Sequence, residues 1–277
     1  MIDVTVVIPM YNAAPTILRA LDSVLAQTTP PAKVVVVDDC STDDSAQVVR
    51  AARLAGVELV STDINGGIAV ARNRGAREAV SEWLAFLDAD DRWEPTFLER
   101  TLAAIALFDA DFGSAGGTRE RPDRKGKHVQ VRLLPGRAEA LDLTTNFWRV
   151  ALKFRPMVPY GAIVRRSLFD SVGGFWEAMR TGEDTCMWVN LWLRGRFAFV
   201  NLPLVESAVI PTSVSAAGLS YHDVLLSSRC MLRGLAQAIR LRRPGTAWFA
   251  WFAVVRLATL HTRWLLGRVR RAARNPS

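Results

Sequence analysis

Four short apolar runs, separated by segments of helical periodicity, limit what this chain can fold into. The runs are VTVVIPM (4–10), KVVVVDD (33–39), VELVST (57–62) and EWLAFLD (82–88). Each is continuous rather than alternating, as strands buried on both faces are. Between them, residues 14–27, 43–55 and 68–80 carry apolar positions at three- and four-residue spacing, the stripe of an amphipathic helix. Strand–helix–strand alternation of this kind requires right-handed crossovers and gives a mostly parallel α/β sheet flanked by helices. Ser41, Thr42 and Asp43 are placed to cap the second helix, and Pro95 to enter the first turn of a later one.

Beyond residue 112 the rhythm changes. GSAGGTRERPDRKGKH (113–128) is rich in glycine and charge and predicts a mobile loop or loose hairpin. A mixed segment follows to about residue 210, and helical patterns run from there to the end. This divides the chain into a domain over 1–222, with halves 1–112 and 113–222, and a helical segment over 223–277. The net charge of +8 is local. From Val224 onward there are eleven arginines and no Lys, Asp or Glu, which leaves 24 basic against 27 acidic residues before it, about −3. A generally basic nucleic-acid binder is therefore not expected; one cationic segment is. Cys40, Cys186 and Cys230 are far apart in sequence and form no C-x-x-C pair, so neither a disulfide framework nor a zinc site is predicted. The N-terminus lacks the basic region of a signal peptide and is expected to stay in the cytoplasm.

In an open parallel sheet, ligands bind outside the carboxyl ends of the strands. Three polar clusters fall at such ends: Pro9-Met10-Tyr11-Asn12, Asp38-Asp39, and Asp88-Ala89-Asp90-Asp91. The last packs three carboxylates into four residues, a repulsion that costs several tenths of a kcal/mol or more without a cation or hydrogen-bonding partner. Either it is a polar turn before the next helix, or it takes a hard divalent cation, Mg²⁺ or Mn²⁺. Asp38-Asp39 is either a turn or a carboxylate pair able to accept a hydrogen bond from a nucleobase. INGGIAVARNRGA (64–76) opens a helix after Gly66 and Gly67 and sets Arg72 one turn in, either solvated or turned to a phosphate. Far downstream, Gly182-Glu183-Asp184 is either an acid-rich helix start or a general base.

In order and spacing, VVIPMYN, DDCSTD, NGGIAVARN, FLDADD, VGGFWE and GED resemble the inverting family-2 glycosyltransferases with the GT-A fold, a Rossmann-like sheet flanked by helices. The likeness covers residues 1 to about 200. It implies a nucleotide-sugar-binding half over 1–112 and an acceptor-binding half, bearing the base, over 113–222. Pro9, Tyr11, Asn12 and Asp39 would line the nucleobase and ribose pocket, with Asp38 in support. Gly67 and Arg72 would approach the diphosphate. Asp88 would contact the ribose or support the metal, and Asp90 would bind Mg²⁺ or Mn²⁺ directly. Asp184 would be the base, with Glu183 orienting it or meeting the acceptor. The donor would be UDP-linked and the acceptor a hydroxyl of a carbohydrate or lipid-linked glycan.

The chain departs from the family's polymerising members. They carry spanning helices and a Q/R-x-x-R-W motif, whereas this chain has LHTRW (260–264) and no run of eighteen apolar residues, so transfer of a single sugar is expected. Trp176 stands where the family often has Asp, and either shapes the acceptor site or packs in the core. In the last segment, Arg256, Arg263 and Arg270 recur every seven residues among Trp248, Trp251, Trp264 and several leucines. That pattern fits either helices packed on the domain or peripheral contact with an anionic membrane through residues 244–277. Two other functions compete. A nucleotidyltransferase would need a glycine-rich basic loop after the first strand, which PMYNAAP is not, and a non-catalytic nucleotide-sugar scaffold would have no use for both acidic motifs.

Overall fold

A computed structural model describes residues 3–120, 129–134, 137–152, 159–207 and 220–274. The strands β1 (Val4–Met10), β2 (Lys33–Asp38), β3 (Val57–Ser61) and β4 (Trp83–Phe86) alternate with the helices α1 (Ile17–Leu25), α2 (Ser45–Ala52) and α3 (Ile68–Arg77). Then come β5 (Arg92–Trp93), α4 (Phe97–Leu107), β6 (Phe112–Glu120), β7 (Val129–Arg132), β8 (Ala140–Asp142) and α5 (Phe147–Ala151). The second half adds β9 (Ala162–Arg165), α6 (Arg166–Val172), α7 (Glu183–Arg194), β10 (Phe197–Ser207), α8 (Tyr221–Arg240) and α9 (Thr246–Arg274). One sheet joins both halves in the order β3-β2-β1-β4-β9-β6-β10-β5, with β7 on β6 and β8 on β10. The first four strands pair in parallel, β6 and β10 run the same way, and β9 is inserted antiparallel between β4 and β6.

All seven residues of β1 are buried, Pro9 included. Its missing N–H is harmless there. Val7 O accepts the Leu87 N–H, so alternation turns position 9 toward the β4 side, beyond Phe86, the last residue of β4 paired to β1. Three expectations from the sequence need correction. β3 lies at the sheet edge and is only partly covered, so its apolar run does not mark burial on both faces. The N-cap of α2 is Asp44 and that of α4 is Thr96, neither with a side-chain cap. Asp43 instead accepts the Ser45 and Ala14 N–H groups, stitching the loops after β2 and β1 together.

The third correction concerns the glycine-rich stretch. Residues 113–117 belong to β6, with 113–116 buried in the sheet and Gly117 partly covered, and the hairpin part of the expectation survives as β6–β7; residues 121–128 lie outside those described. Here glycine permits close approach. A Cβ at Gly117 would lie 2.6 Å from Val205 O on β10, a clash with main chain that cannot move aside.

Helices α8 and α9 pack into the domain. Cys230, Met231 and Ala238 of α8, with Phe249 and Ala253 of α9, share one core with β4, β6 and α7. Phe249 is 0% exposed and packs on Trp148 and Trp192, at centroid distances of 4.7 and 5.3 Å. The same packing brings Cys186 and Cys230 together; all three cysteines are free, and the contact with Cys230, aided by burial, pushes the Cys186 thiol far up. Among the described residues no helix is long and apolar enough to cross a membrane.

Candidate active site

The carboxyl ends of β1, β2 and β4 lie side by side, so the loops that follow them meet at one edge of the sheet. After β1, Tyr11 is exposed, and Asn12 takes a positive φ of 50°. Asn12 Oδ1 accepts the Thr42 N–H at 2.8 Å, and its own N–H donates to Ser41 Oγ at 3.0 Å. Asp38 Oδ1 accepts the Ser41 N–H at 3.0 Å. Asp39 is buried, and its carboxylate receives Thr62 Oγ1 at 2.8 Å, Gly66 N–H at 3.0 Å and Gly67 N–H at 2.7 Å. Three of its roughly four lone-pair positions thus hold the entry to α3, leaving one for a ligand donor.

The acidic loop after β4 is pinned at both ends. The Leu87 N–H donates to Val7 O at 3.1 Å, and the Asp91 N–H donates to Asp88 O at 3.1 Å. Arg19 Nη2 reaches Asp90 O at 2.6 Å. On the far side, β5 pairs with β10, Arg92 bonds Glu206, and Trp93 stacks on Phe97 at 4.3 Å while its indole donates to Tyr160 O at 2.7 Å. Within this frame, carboxylate oxygens of Asp88, Asp90 and Asp91 lie within 4.8 Å of one another. Asp91, which the sequence reading noted only as part of the cluster, is the buried member. An all-oxygen donor set of this charge fits a hard divalent cation.

Arg72, which its place in α3 left either solvated or turned to a phosphate, is not solvated. Its side chain is 1% exposed. Nη2 donates to Asp88 Oδ1 at 2.6 Å, Nη1 donates to Glu183 Oε1 at 3.1 Å, and the guanidinium lies 5.1 Å from the Phe175 ring centroid. Two carboxylates contributed from opposite halves of the chain therefore consume its charge. Burial works against that charge, but Asp88 and then Glu183 outweigh it, so the Arg72 pKa is raised. Next to it, Asn73 donates to Phe175 O at 2.8 Å and accepts the Phe175 N–H at 2.8 Å. The NGGIAVARN and VGGFWE motifs thus form one clamp, and Trp176 packs half-buried against the core.

Gly182 precedes α7 with φ at 87°, a conformation that a side chain would strain, and the helix that follows points the consecutive Glu183 and Asp184 in different directions. Glu183 is buried against Arg72. Burial first, and the Asp184 carboxylate second, push its pKa up to about 7, and Arg72 offsets only part of that. Asp184 is half-buried, with Oδ1 held by the Thr185 N–H at 2.6 Å and the Thr185 hydroxyl at 3.1 Å. It lines a groove between α5, α7 and α9 with Trp148, Trp188, Phe252 and Val255 among its walls. Sequence reasoning missed these wall residues. The spacing of Asp184 and Trp188, one helical turn apart, was the available signal.

A parallel sheet with one inserted antiparallel strand, carboxylates at the end of β4 and an acid-bearing helix start facing them define a GT-A glycosyltransferase. Residues 5–173 match the model of the family described as glycosyl transferase family 2, and the chain belongs to that family. It is 32% identical over 290 residues to the succinoglycan biosynthesis protein ExoO of Rhizobium meliloti (strain 1021), covering 99% of this chain and 82% of that one. It is 38% identical over 115 residues to the putative teichuronic acid biosynthesis glycosyltransferase TuaG of Bacillus subtilis (strain 168), covering 41% of this chain and 46% of that one. Residues 1–349 of S. aureus TarS, crystallised with UDP-GlcNAc, share the fold with a TM-score of 0.70 at 23% identity. That match covers 84% of this chain and 66% of the TarS chain, so the present chain spans just under two thirds of it.

Proposed function

We propose that the protein transfers a single sugar, with inversion and with a divalent metal, from a UDP-linked donor to a hydroxyl acceptor in polysaccharide biosynthesis. One observation carries the reading. Through 2.6 and 3.1 Å bonds, Arg72 holds Asp88 and Glu183 on one guanidinium, so the base-bearing start of α7 sits beside the acidic motif. The name of the ExoO relative supports the polysaccharide setting, and the UDP-GlcNAc complex of TarS supports the donor. Pro9, Tyr11, Asn12 and Asp39, with Asp38 in support, would line the nucleoside pocket, and Gly67 would approach the diphosphate.

Asp90, with Asp88 and Asp91, would hold Mg²⁺ or Mn²⁺, and when bound the ion screens the diphosphate and stabilises its charge as a leaving group. The remaining work falls to the chain. Asp184 takes the proton of the acceptor hydroxyl on Oδ2, the oxygen that Thr185 does not hold. The acceptor oxygen bonds to the anomeric carbon from the face opposite the diphosphate as the old C–O bond breaks, and that electron pair leaves with the diphosphate. Arg72 fixes Asp88 and Glu183, and Thr185 fixes the carboxylate that moves the proton.

Metal dependence is tested by calorimetry of UDP with and without Mn²⁺, on wild type and Asp90→Asn. Wild-type affinity should rise at least tenfold with Mn²⁺, and the variant should show no such gain. Equal affinity in all four combinations sinks the assignment of Asp90.

A peripheral membrane contact through α9 belongs to the same proposal. Its inward face carries Phe249, Ala253 and Leu260, while Trp248, Trp251 and Val254 are exposed, Trp251 at 57%. The side chains of Arg263 and Arg270 lie outside the described residues. Deleting α9 would also strip Phe249 from the core, so a double substitution, Trp251→Ser with Val254→Ser, is the cleaner probe. Wild type should sediment with anionic vesicles at low salt and be released at high salt, and the double variant should stay in the supernatant. Wild type that remains in the supernatant at low salt removes the membrane role.

A further inference from the structure

Helix α1 carries a polar edge that its packing on the sheet does not require. Its apolar face, Ile17, Ala20, Leu21 and Val24, is buried in the core and holds it in place. Arg19, Ser23 and Gln27 follow one another at four-residue spacing along the flank of that face, Gln27 just past the helix end. All three grip the main chain of residues 90–98. Arg19 Nη2 donates to Asp90 O at 2.6 Å, and Ser23 Oγ accepts the Trp93 N–H at 3.2 Å. Gln27 donates to Glu94 O and accepts the Leu98 N–H, both at 2.9 Å.

The grip is stiff because two of its members are themselves held. Ser23 Oγ donates to Ala20 O at 2.8 Å, and Gln27 Nε2 donates also to Ser23 O at 3.0 Å. Gln27 is 4% exposed and fills three of its four hydrogen-bonding positions. At the other end of the loop the Leu87 N–H is pinned to Val7 O and Asp88 is bound by Arg72. Between these anchors the oxygens of Asp88, Asp90 and Asp91 converge within 4.8 Å. Three carboxylates on a free loop would spread apart under their own repulsion. On a loop held along its length they stay together.

Resting on the metal assignment above, we propose that Arg19, Ser23 and Gln27 are positioning residues for the divalent cation. They fix the main chain of the acidic loop so that its carboxylates are already gathered when the ion arrives, and binding energy is not consumed in ordering them. The sign of the effect separates position from charge. By charge alone Arg19 would repel the ion, so its removal would strengthen metal binding. By position its removal weakens it.

The test is calorimetry of UDP with and without Mn²⁺ on wild type, Arg19→Met, Arg19→Lys and Gln27→Met. Arg19 is exposed, so its variants leave the core intact. The gain in UDP affinity that Mn²⁺ brings should fall about tenfold in Arg19→Met and Gln27→Met, the lower end of what residues orienting metal ligands contribute. Arg19→Lys should keep most of the gain, because its ammonium can still donate to Asp90 O. UDP affinity without metal should stay the same in every variant, which a general loosening of the fold would not allow. A gain unchanged in Arg19→Met and Gln27→Met, a gain raised in Arg19→Met, or a matching loss of metal-free affinity overturns the inference and leaves the metal assignment standing. A wild type with no Mn²⁺ gain overturns the metal assignment and the inference with it.

Discussion

Asp184→Asn should lower sugar transfer by about two to four orders of magnitude, the usual scale for removing a positioned general base, while leaving UDP affinity within about twofold of wild type. Asn keeps the shape of the side chain and an oxygen that can still accept from Thr185, whose N–H and hydroxyl hold the carboxylate. What it loses is the capacity to take a proton. UDP release from UDP-glucose, UDP-galactose and UDP-N-acetylglucosamine, with methyl pyranosides as acceptors, is the measurement. Near-normal turnover would refute Asp184 as the base and turn attention to Glu183. A pH–rate profile separates the two, because a base must be deprotonated to act. With burial and Asp184 holding the Glu183 carboxyl at about 7, a reaction that depended on it would rise in rate through that pH.

The first half of the fold could be read in advance because its signals are local. β1, β2 and β4 are buried apolar runs, and α1 to α3 carry one apolar stripe each, so period and length alone place them. The acidic clusters were legible for the same reason: carboxylates at strand ends stand out against an apolar background. Non-local pairing was not legible. β9 enters between β4 and β6 from some eighty residues downstream of its partner β4, and no local pattern announces an antiparallel strand there. β6 was missed because GSAGG has weak strand propensity; its glycines answer to the main chain of β10, which sequence does not show. In the last segment the arginine pattern left packing on the domain and membrane contact both open, and it does not single out Phe249 and Met231 as the residues the core covers.

Arg72 is the sharpest example of that gap and the basis of the second large effect. One turn into a helix after two glycines, it reads as a phosphate ligand, yet its guanidinium joins Asp88 to Glu183 inside the protein. Arg72→Met should cost about 3–5 kcal/mol at neutral pH, the range for breaking a buried ion pair by removing one partner, and lower the melting temperature by on the order of 10 °C. Arg72→Lys should recover only part, because one ammonium cannot reproduce the fork that reaches both carboxylates. The sign of the pH dependence follows from Glu183. Its folded pKa is already raised, and loss of the arginine that pulls it down raises it further. A carboxyl whose folded pKa exceeds its unfolded value favours folding fully below the unfolded value, and that contribution is lost as pH rises through the folded one. The variant should therefore be least destabilised near pH 4.5 and most destabilised above pH 7. Adding Glu183→Gln to Arg72→Met should restore stability at neutral pH and flatten the profile, leaving Asp88, which is partly exposed, as the smaller remaining cost. Denaturant unfolding of wild type, both single variants and the double, at pH 5 and pH 8, decides the matter. Equal destabilisation at both pH values, or strict additivity in the cycle, would mean that the bridge between the two halves contributes little.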